Sequence, residues 1–485
     1  MSKAASILDK YPHYEAVIGI EVHLQLTETK SKMFCSCANE VCKDPNINIC
    51  EICAGYPGSL PVLNKQAVDY AILAGLATNC NITQRCSFAR KHYFYPDLPK
   101  GYQITQHTDP ICSDGIIPIR LEDNSIKNIR LQRIHMEEDT GKSIHGSDNK
   151  ESFVDLNRAG TPLLEIVTHP DISNPYQAKT YLKALHSIAQ YLCISTANMD
   201  EGAFRADTNI SVRKKGSEKL GTRCELKNIN SFKYISDAIE HEVERQITLL
   251  EQGKKVIQET RLWDTKTKKT HIMRSKEEAA DYRYFSEPDL PILEINEEWI
   301  ERVKKQLPTL PHEKFEQLVK MGLSPYEAEI LVDDSALVTY FEKTQEHNQS
   351  KQIINWILRD VLGYLKEHNI SIIDFKVTPK KLAALVELHE KDVINAPAAK
   401  EIFEIVAMTG QEPADVVKEK GFEQIGTADK LEPVIKKVLK DNPKEVERYN
   451  AGEKKLFAFF IGQVMKQTKG KGNPKLIQEI LKKHL

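Results

Sequence analysis

The sequence predicts an α+β protein: an antiparallel β-rich cradle domain, then an all-α helical domain and a helical C-terminal tail. Two observations carry that prediction. The segment Ala16 to Leu26, AVIGIEVHLQL, alternates strictly. A side-chain period of two puts Glu21, His23 and Gln25 on one face of a strand and Ile20, Val22, Leu24 and Leu26 on the other. After Pro288-Asp289-Leu290-Pro291 the texture changes to Lys, Glu and Leu at helical spacing. At 485 residues the chain also exceeds the ~250–300 residues at which a single core stops growing, so it must divide. The expected divisions are residues 1–295 for the cradle, 296–410 for the helical domain and 411–485 for the tail.

Three later segments repeat the acidic alternation of the first strand: the run ending His135-Met136-Glu137-Glu138-Asp139, then Asp207-Thr208-Asn209-Ile210-Ser211, then Arg223-Cys224-Glu225-Leu226-Lys227. Carboxylates gathered on one sheet face repel one another unless a cation intervenes. A divalent metal, magnesium with a nucleotide, is the reading, with His23 as a nitrogen ligand. The bland alternative is a solvated sheet face, which is how most alternating strands are built. Two amphipathic helices are marked between these strands. One starts at Asn174-Pro175, cap and first position, and carries Leu182, Leu185, Ile188, Ala189 and Leu192. The other runs from Ser231 through Ile235, Ile239, Val243, Ile247 and Leu250 and stops at Gly253. In the second half, Ser324-Pro325 and Thr378-Pro379 open further helices.

Cysteine spacing supplies a second metal expectation. Cys35-Ser36-Cys37 and Cys50-Glu51-Ile52-Cys53 offer two close thiolate pairs across the 35–53 loop, the donor set of a tetrahedral structural zinc. Cys42 could replace one ligand, and free thiols are the alternative. Cys80, Cys86, Cys112, Cys193 and Cys224 read as small core residues. Ten cysteines in such a chain are thiols or ligands rather than a disulfide framework. No apolar run reaches the ~18–20 residues of a membrane span, and the N-terminus lacks a secretory plan, so a cytoplasmic protein without membrane contact is expected.

Phosphate handling has no ready-made motif. Asp139-Thr140-Gly141-Lys142-Ser143 resembles the end of a P-loop, but Met136 stands where the first glycine is required. An ATP site must then use metal plus basic side chains, for which Arg90, Lys91, Arg158, Arg205 and Lys227 are available. The stretch from Lys91 to Gln103, KHYFYPDLPKGYQ, mixes rings, charges and prolines and is suited to lining a pocket or passage. Net charge is only −2, yet Asp429 to Leu485 holds 14 Lys and Arg against 7 Asp and Glu. A basic tail on an acidic body suits a polyanionic partner.

Several strings then resemble a known family: VIGIEVHLQL, KMFCSCAN with CEICAGYPGSLPVLN, ARKHYFYPDLPKGYQITQ, IHMEEDTGKS, DLNRAGTPLLEIVT, EGAFRADTNIS, ELKNINSFKYI and DYRYFSEPDLP. Together they resemble the B subunits of aspartyl/glutamyl-tRNA amidotransferases, and the helical half is similar down to the terminal GNP and short basic helix. The resemblance implies an ATP-dependent carbon–nitrogen ligase that uses glutamine as amide donor. The side-chain carboxylate of misacylated Glu-tRNA(Gln) or Asp-tRNA(Asn) is activated as an acyl phosphate and amidated by ammonia. An amidase (A) component would supply the ammonia and a small C component would complete a heterotrimer. The resemblance also implies roles. His23, Glu138 and Glu225 fall on strings that hold the family's magnesium ligands, with Glu21, Glu137 and Asp207 beside them. Lys91 falls where ammonia would arrive, Cys35, Cys37, Cys50 and Cys53 on the zinc pattern of part of the family, and Lys469, Lys471, Lys475, Lys482 and Lys483 on the tRNA-binding tail. Two other classes compete with this reading. A zinc-stabilised tRNA-binding module without chemistry would prefer lysine where the carboxylates stand, and a free-standing metal-dependent nuclease or phosphatase would turn over alone.

Overall fold

The computed structural model describes residues 7–145, 151–275, 281–425, 428–468 and 470–485. The chain forms two compact units, Met1–Met321 and Gly322–Leu485.

The first unit is organised by nine strands: β1 (Tyr14–Gln25), β2 (Asn81–Ile82), β3 (Cys112–Arg120), β4 (Ile126–Glu138), β5 (Pro162–Thr168), β6 (Phe204–Lys214), β7 (Cys224–Ile229), β8 (Glu259–Asp264) and β9 (Lys269–Ser275). They form one sheet in the order β9-β8-β7-β6-β1-β5-β4-β3-β2, which places the first strand at its centre. β1 alternates buried and half-buried residues along its length, as its sequence requires. Its apolar side, with Ile18, Ile20, Val22 and Leu24, joins one continuous core. Two helices supply the other wall of that core, α2 (Pro175–Tyr191) and α3 (Phe232–Glu251), packed side by side; α1 (Lys65–Ala77) is a further contributor. Asn174 caps α2 by accepting from the Gln177 N–H at 2.8 Å, and Ser231 caps α3. Gly253, at φ +71°, ends the run after α3 in the left-handed region that glycine enters without strain.

The expected antiparallel sheet is in fact mixed. β7 and β8 pair in parallel, because α3 crosses over between them and returns the chain in the same direction, as a βαβ unit must. The unit boundary also lies beyond residue 295. Val303 of α4 (Glu297–Lys304) and Leu310, just before α5 (Pro311–Lys320), belong to the core of the first unit. Among the scattered cysteines, Cys86, Cys112 and Cys224 are buried, but Cys193 is exposed in a positive-φ turn after α2 and is not a core residue.

The second unit is helical throughout its described residues. Ser324 opens Pro325–Val332 with a reciprocal cap to Glu327, and Thr378 opens Pro379–Glu390. Pro413–Lys420 packs on Pro379–Glu390 and Ala396–Thr409. The last four helices, Ala428–Asp441, Pro443–Asn450, Leu456–Gln467 and Pro474–His484, close on their own core of Leu431, Ile435, Val438, Phe460, Val464, Ile477 and Leu481. Among the described residues no helix is long and apolar enough to cross a membrane.

Candidate functional site

The polar face of the sheet gathers side chains from five strands. Register decides which ones meet, because directly opposed residues of antiparallel strands share a face. His23 stands opposite Glu165 of β5 and Arg205 of β6, and Glu21 stands opposite Asp207. Glu165 in turn opposes His135, and Leu163 opposes Glu137, on β4. The His23 Nε2 atom therefore faces three carboxylates: Glu21 Oε1 at 3.6 Å, Glu137 Oε1 at 3.6 Å and Glu165 Oε2 at 3.9 Å. Glu21, His23 and Glu165 each offer a donor atom within 4.8 Å of the others.

Burial and mutual repulsion set the electrostatics of this cluster. Burial, then the Glu165 and Asp207 charges, push the Glu21 carboxyl up to about 7. Burial, then Glu137, do the same to Glu165. Burial is also the main force raising Glu137 to about 7. Burial, then Arg205, Lys227 and Lys91, push the His23 imidazole down to about 3, which leaves a neutral ring with a lone pair to offer. Oxygens with one imidazole form the donor set of a hard divalent cation, and such a cation would relieve the repulsion among the acids.

Of the residues expected as metal ligands, the structure brings His23 to this cluster and keeps the other two apart from it. Glu138 follows Glu137 directly and so turns to the opposite side of β4. There its carboxylate is ion-paired with Lys100 and accepts from the Ile104 N–H at 2.9 Å. Glu225 lies two strands from His23, on β7, where Lys227 Nζ sits 3.1 Å from its Oε1 and 2.5 Å from Asp207 Oδ2. Burial opposes the charge on Lys227, but Asp207 and Glu225 outweigh it and hold the ammonium well above the ordinary lysine range. The acidic face is thus two groups, one around His23, where Arg133 Nη2 reaches Glu165 Oε1 at 3.8 Å, and one neutralised by Lys227. Sequence reasoning does not single out Glu165; its signal is a lone acid inside the apolar strand Pro162-Leu163-Leu164-Glu165-Ile166-Val167-Thr168.

His23 and Glu137 of the cluster line a cavity of about 1230 Å³, whose wall carries Lys91, Lys142, Arg158, Arg205 and Lys227 among acids that include Asp139, Asp155, Asp200, Glu201 and Asp207. Asp139 anchors part of that wall. It accepts from Gln25 Nε2 at 2.8 Å and Arg205 Nη2 at 2.9 Å, with Arg158 Nε at 3.6 Å. Burial raises its carboxyl, yet Arg205 and Arg158 outweigh burial and hold it below the usual carboxylate range. Lys91 projects from Ala89–His92, a strand of a separate three-stranded sheet with Tyr102–Thr105 and Phe285–Ser286. Its Nζ lies 4.9 Å from the Tyr282 ring centroid, and Tyr93 lines the same cavity. Burial would lower the Lys91 ammonium, but Glu137, Tyr284 and Glu165 keep it above its ordinary value.

The four predicted thiols converge. Cys35, Cys37, Cys50 and Cys53 place their sulfurs within 4.8 Å of one another, with Cys37 to Cys53 at 4.0 Å and Cys50 to Cys53 at 3.8 Å. A zinc–sulfur bond of about 2.3 Å gives a tetrahedral edge of about 3.8 Å, so the residues fit that ion. The loop between the pairs contributes Asn39, Glu40, Val41 and Cys42 to the wall of the cavity.

The tail lysines divide. Lys482 and Lys483 are exposed on the last helix. Lys475 is exposed too, with Asp392 Oδ2 at 3.9 Å. Lys471 is committed internally, its ammonium donating to the Gly421 carbonyl at the end of Pro413–Lys420. Lys469 lies outside the described residues.

The structure defines an α+β protein whose sheet face gathers an imidazole, carboxylates and cationic side chains in one cavity. Comparison with known proteins gives its family. Residues 16–301 match the family model described as the GatB/GatE catalytic domain, and residues 339–485 match the one described as the GatB domain. The B subunit of the aspartyl/glutamyl-tRNA(Asn/Gln) amidotransferase of Persephonella marina is 50% identical over 475 residues, covering 97% of this chain and 99% of that protein. Its counterpart of the same description from Thermodesulfovibrio yellowstonii is 50% identical over 474 residues, with the same coverage. That of Thermoanaerobacter pseudethanolicus is 47% identical over 474 residues, again covering 97% and 99%. The chain belongs to the family of aspartyl/glutamyl-tRNA amidotransferase B subunits.

Proposed function

We propose that the chain is the carboxylate-activating component of a tRNA-dependent amidotransferase, acting on Glu-tRNA(Gln), Asp-tRNA(Asn) or both. The observation that carries this reading is the His23 imidazole facing Glu21, Glu137 and Glu165 beside a cavity whose wall also carries Lys91, Arg158, Arg205 and Lys227, in a chain of this family. ATP with magnesium would supply the phosphoryl group that converts the substrate carboxylate into an acyl phosphate, open to attack by ammonia. His23, Glu21 and Glu165, with Glu137 beside them, would hold the cation, and Arg158, Arg205 and Lys227 would cradle phosphate oxygens. In phosphoryl transfer, positioning and charge stabilisation do most of the work, and these side chains are suited to both. Lys91 and its tyrosine neighbours would border the entry of neutral ammonia. The enclosing loops would keep water from the acyl phosphate.

Cys35, Cys37, Cys50 and Cys53 would hold a structural zinc that orders one wall of the cavity. A partner amidase would release the ammonia from glutamine, and a small third protein would brace the pair. The exposed Lys475, Lys482 and Lys483, and Lys469, would meet tRNA phosphates.

The test is a transamidation assay with both misacylated tRNAs, using the chain purified with its partner proteins. His23→Ala should abolish ATP-dependent amide formation while glutaminase activity of the complex persists. Unchanged amide formation in that variant would remove the assignment. Turnover of tRNA or phosphate esters by the chain alone would point to the hydrolase alternative.

A further inference from the structure

The cysteine centre has a cation built against it. Lys32 is 1% exposed. Its Nζ donates to the Asn48 carbonyl at 2.7 Å and lies 3.7 Å from Cys53 Sγ. Its backbone N–H donates to the Cys37 carbonyl at 2.9 Å, and Asn48, which receives the ammonium, itself donates from Nδ2 to the Ala38 carbonyl at 2.7 Å. Lysine is almost never fully buried without a partner. Here the partners are one carbonyl and one sulfur of the four-thiol cluster.

Charge accounts for that placement. Four thiolates around a divalent ion leave a net charge of minus two inside the protein, and one ammonium cancels half of it. An ammonium has no lone pair, so Lys32 cannot be a ligand; it acts through Cys53, as an N–H donor and opposite charge 3.7 Å from that sulfur. We propose that Lys32 is the internal counter-cation of the Cys35/Cys37/Cys50/Cys53 metal centre, a positioning residue that sets how tightly the ion is retained. The inference rests on the reading of those cysteines as metal ligands and is independent of the ATP and tRNA assignments. It also gives the loop a second tether: Lys32 follows β1 in the chain, so the strand that carries Glu21 and His23 is linked to the cysteine loop through one buried side chain.

The experiment compares the full-length chain with Lys32→Met, which keeps the stem and removes the charge, and Lys32→Arg, which keeps the charge. Each is loaded with zinc, and release to a chromogenic chelator is followed at neutral pH. Lys32→Met should start with the same one zinc per chain and lose it roughly tenfold to a hundredfold faster. Lys32→Arg should stay near the parent rate. Cobalt substitution supplies a readout that simple loosening would not move: the tetrahedral ligand-field bands should persist in all three chains, while the thiolate-to-cobalt charge-transfer band shifts only in Lys32→Met. Equal release from Lys32→Met and the parent overturns the proposal. Release from Lys32→Arg as fast as from Lys32→Met also overturns it, by tracing the effect to packing. Lys32→Gln takes the place of Lys32→Met if the latter does not fold. A parent chain that retains no zinc would remove the metal reading itself, which is a separate failure.

Discussion

Glu137 and Glu138 are consecutive residues of one strand that serve opposite sides of the sheet: the Glu137 carboxylate is 3.6 Å from His23, and the Glu138 carboxylate is paired with Lys100. Their substitutions should separate accordingly. Glu137→Gln should weaken divalent-cation binding about tenfold or more, as loss of a charged group at a metal site does, with little change in the melting curve. Glu138→Gln leaves the half-buried Lys100 without its counter-charge and should cost about 3 kcal/mol of stability, with cation affinity held within about twofold of the parent. Manganese titration and thermal denaturation of the two variants check both halves.

Lys91 is expected to matter more for ammonia produced by the partner amidase than for ammonia in solution. Lys91→Met should slow glutamine-driven amidation about tenfold, equivalent to about 1.4 kcal/mol. High ammonium concentration should restore most of the rate. Equal impairment with both nitrogen sources would place Lys91 at the carboxylate chemistry itself.

Loss of the metal proposed for the four cysteines should affect binding before chemistry, because Asn39 to Cys42 wall the cavity while the His23 cluster belongs to the sheet. Cys50→Ser is expected to raise KM for the misacylated tRNA about tenfold and to change kcat by less than about threefold, the pattern of lost uniform binding. Metal analysis and steady-state kinetics on the same preparation provide the check.

In the tail, Lys482 and Lys483 are exposed, whereas Lys471 caps the Gly421 carbonyl. Replacing Lys482 and Lys483 together with alanine should lower the slope of log affinity against log salt by between one and two, since each phosphate contact contributes about 0.7–0.9. Lys471→Ala should leave that slope unchanged and lower the melting temperature instead. Filter binding over a salt series distinguishes the two.

Much of the site is legible in the sequence because a strand's alternation is local. Glu21, His23 and Gln25 share a face for no reason beyond the period of β1. The two cysteine pairs are legible for a similar reason, since tetrahedral thiolate sites depend on short spacings. Glu165 is not legible: an acid inside PLLEIVT becomes a candidate only when pairing with β1 sets it opposite His23. The pairing of Glu138 with Lys100 is equally hidden, because an adjacent pair of acids does not reveal which one the register turns inward.

By itself the sequence determined the α+β class, the helical second half, its caps at Ser324 and Thr378 and the residue types of two candidate metal centres, all of which follow from spacing within short stretches. Tertiary structure alone decided that the sheet is mixed, that residues as far as Leu310 complete the first core, and that the acids divide into one cluster around His23 and another neutralised by Lys227. The reason is physical: strand order and register bring together residues far apart in the chain, and a shift of one residue exchanges every side chain between the wet face and the core.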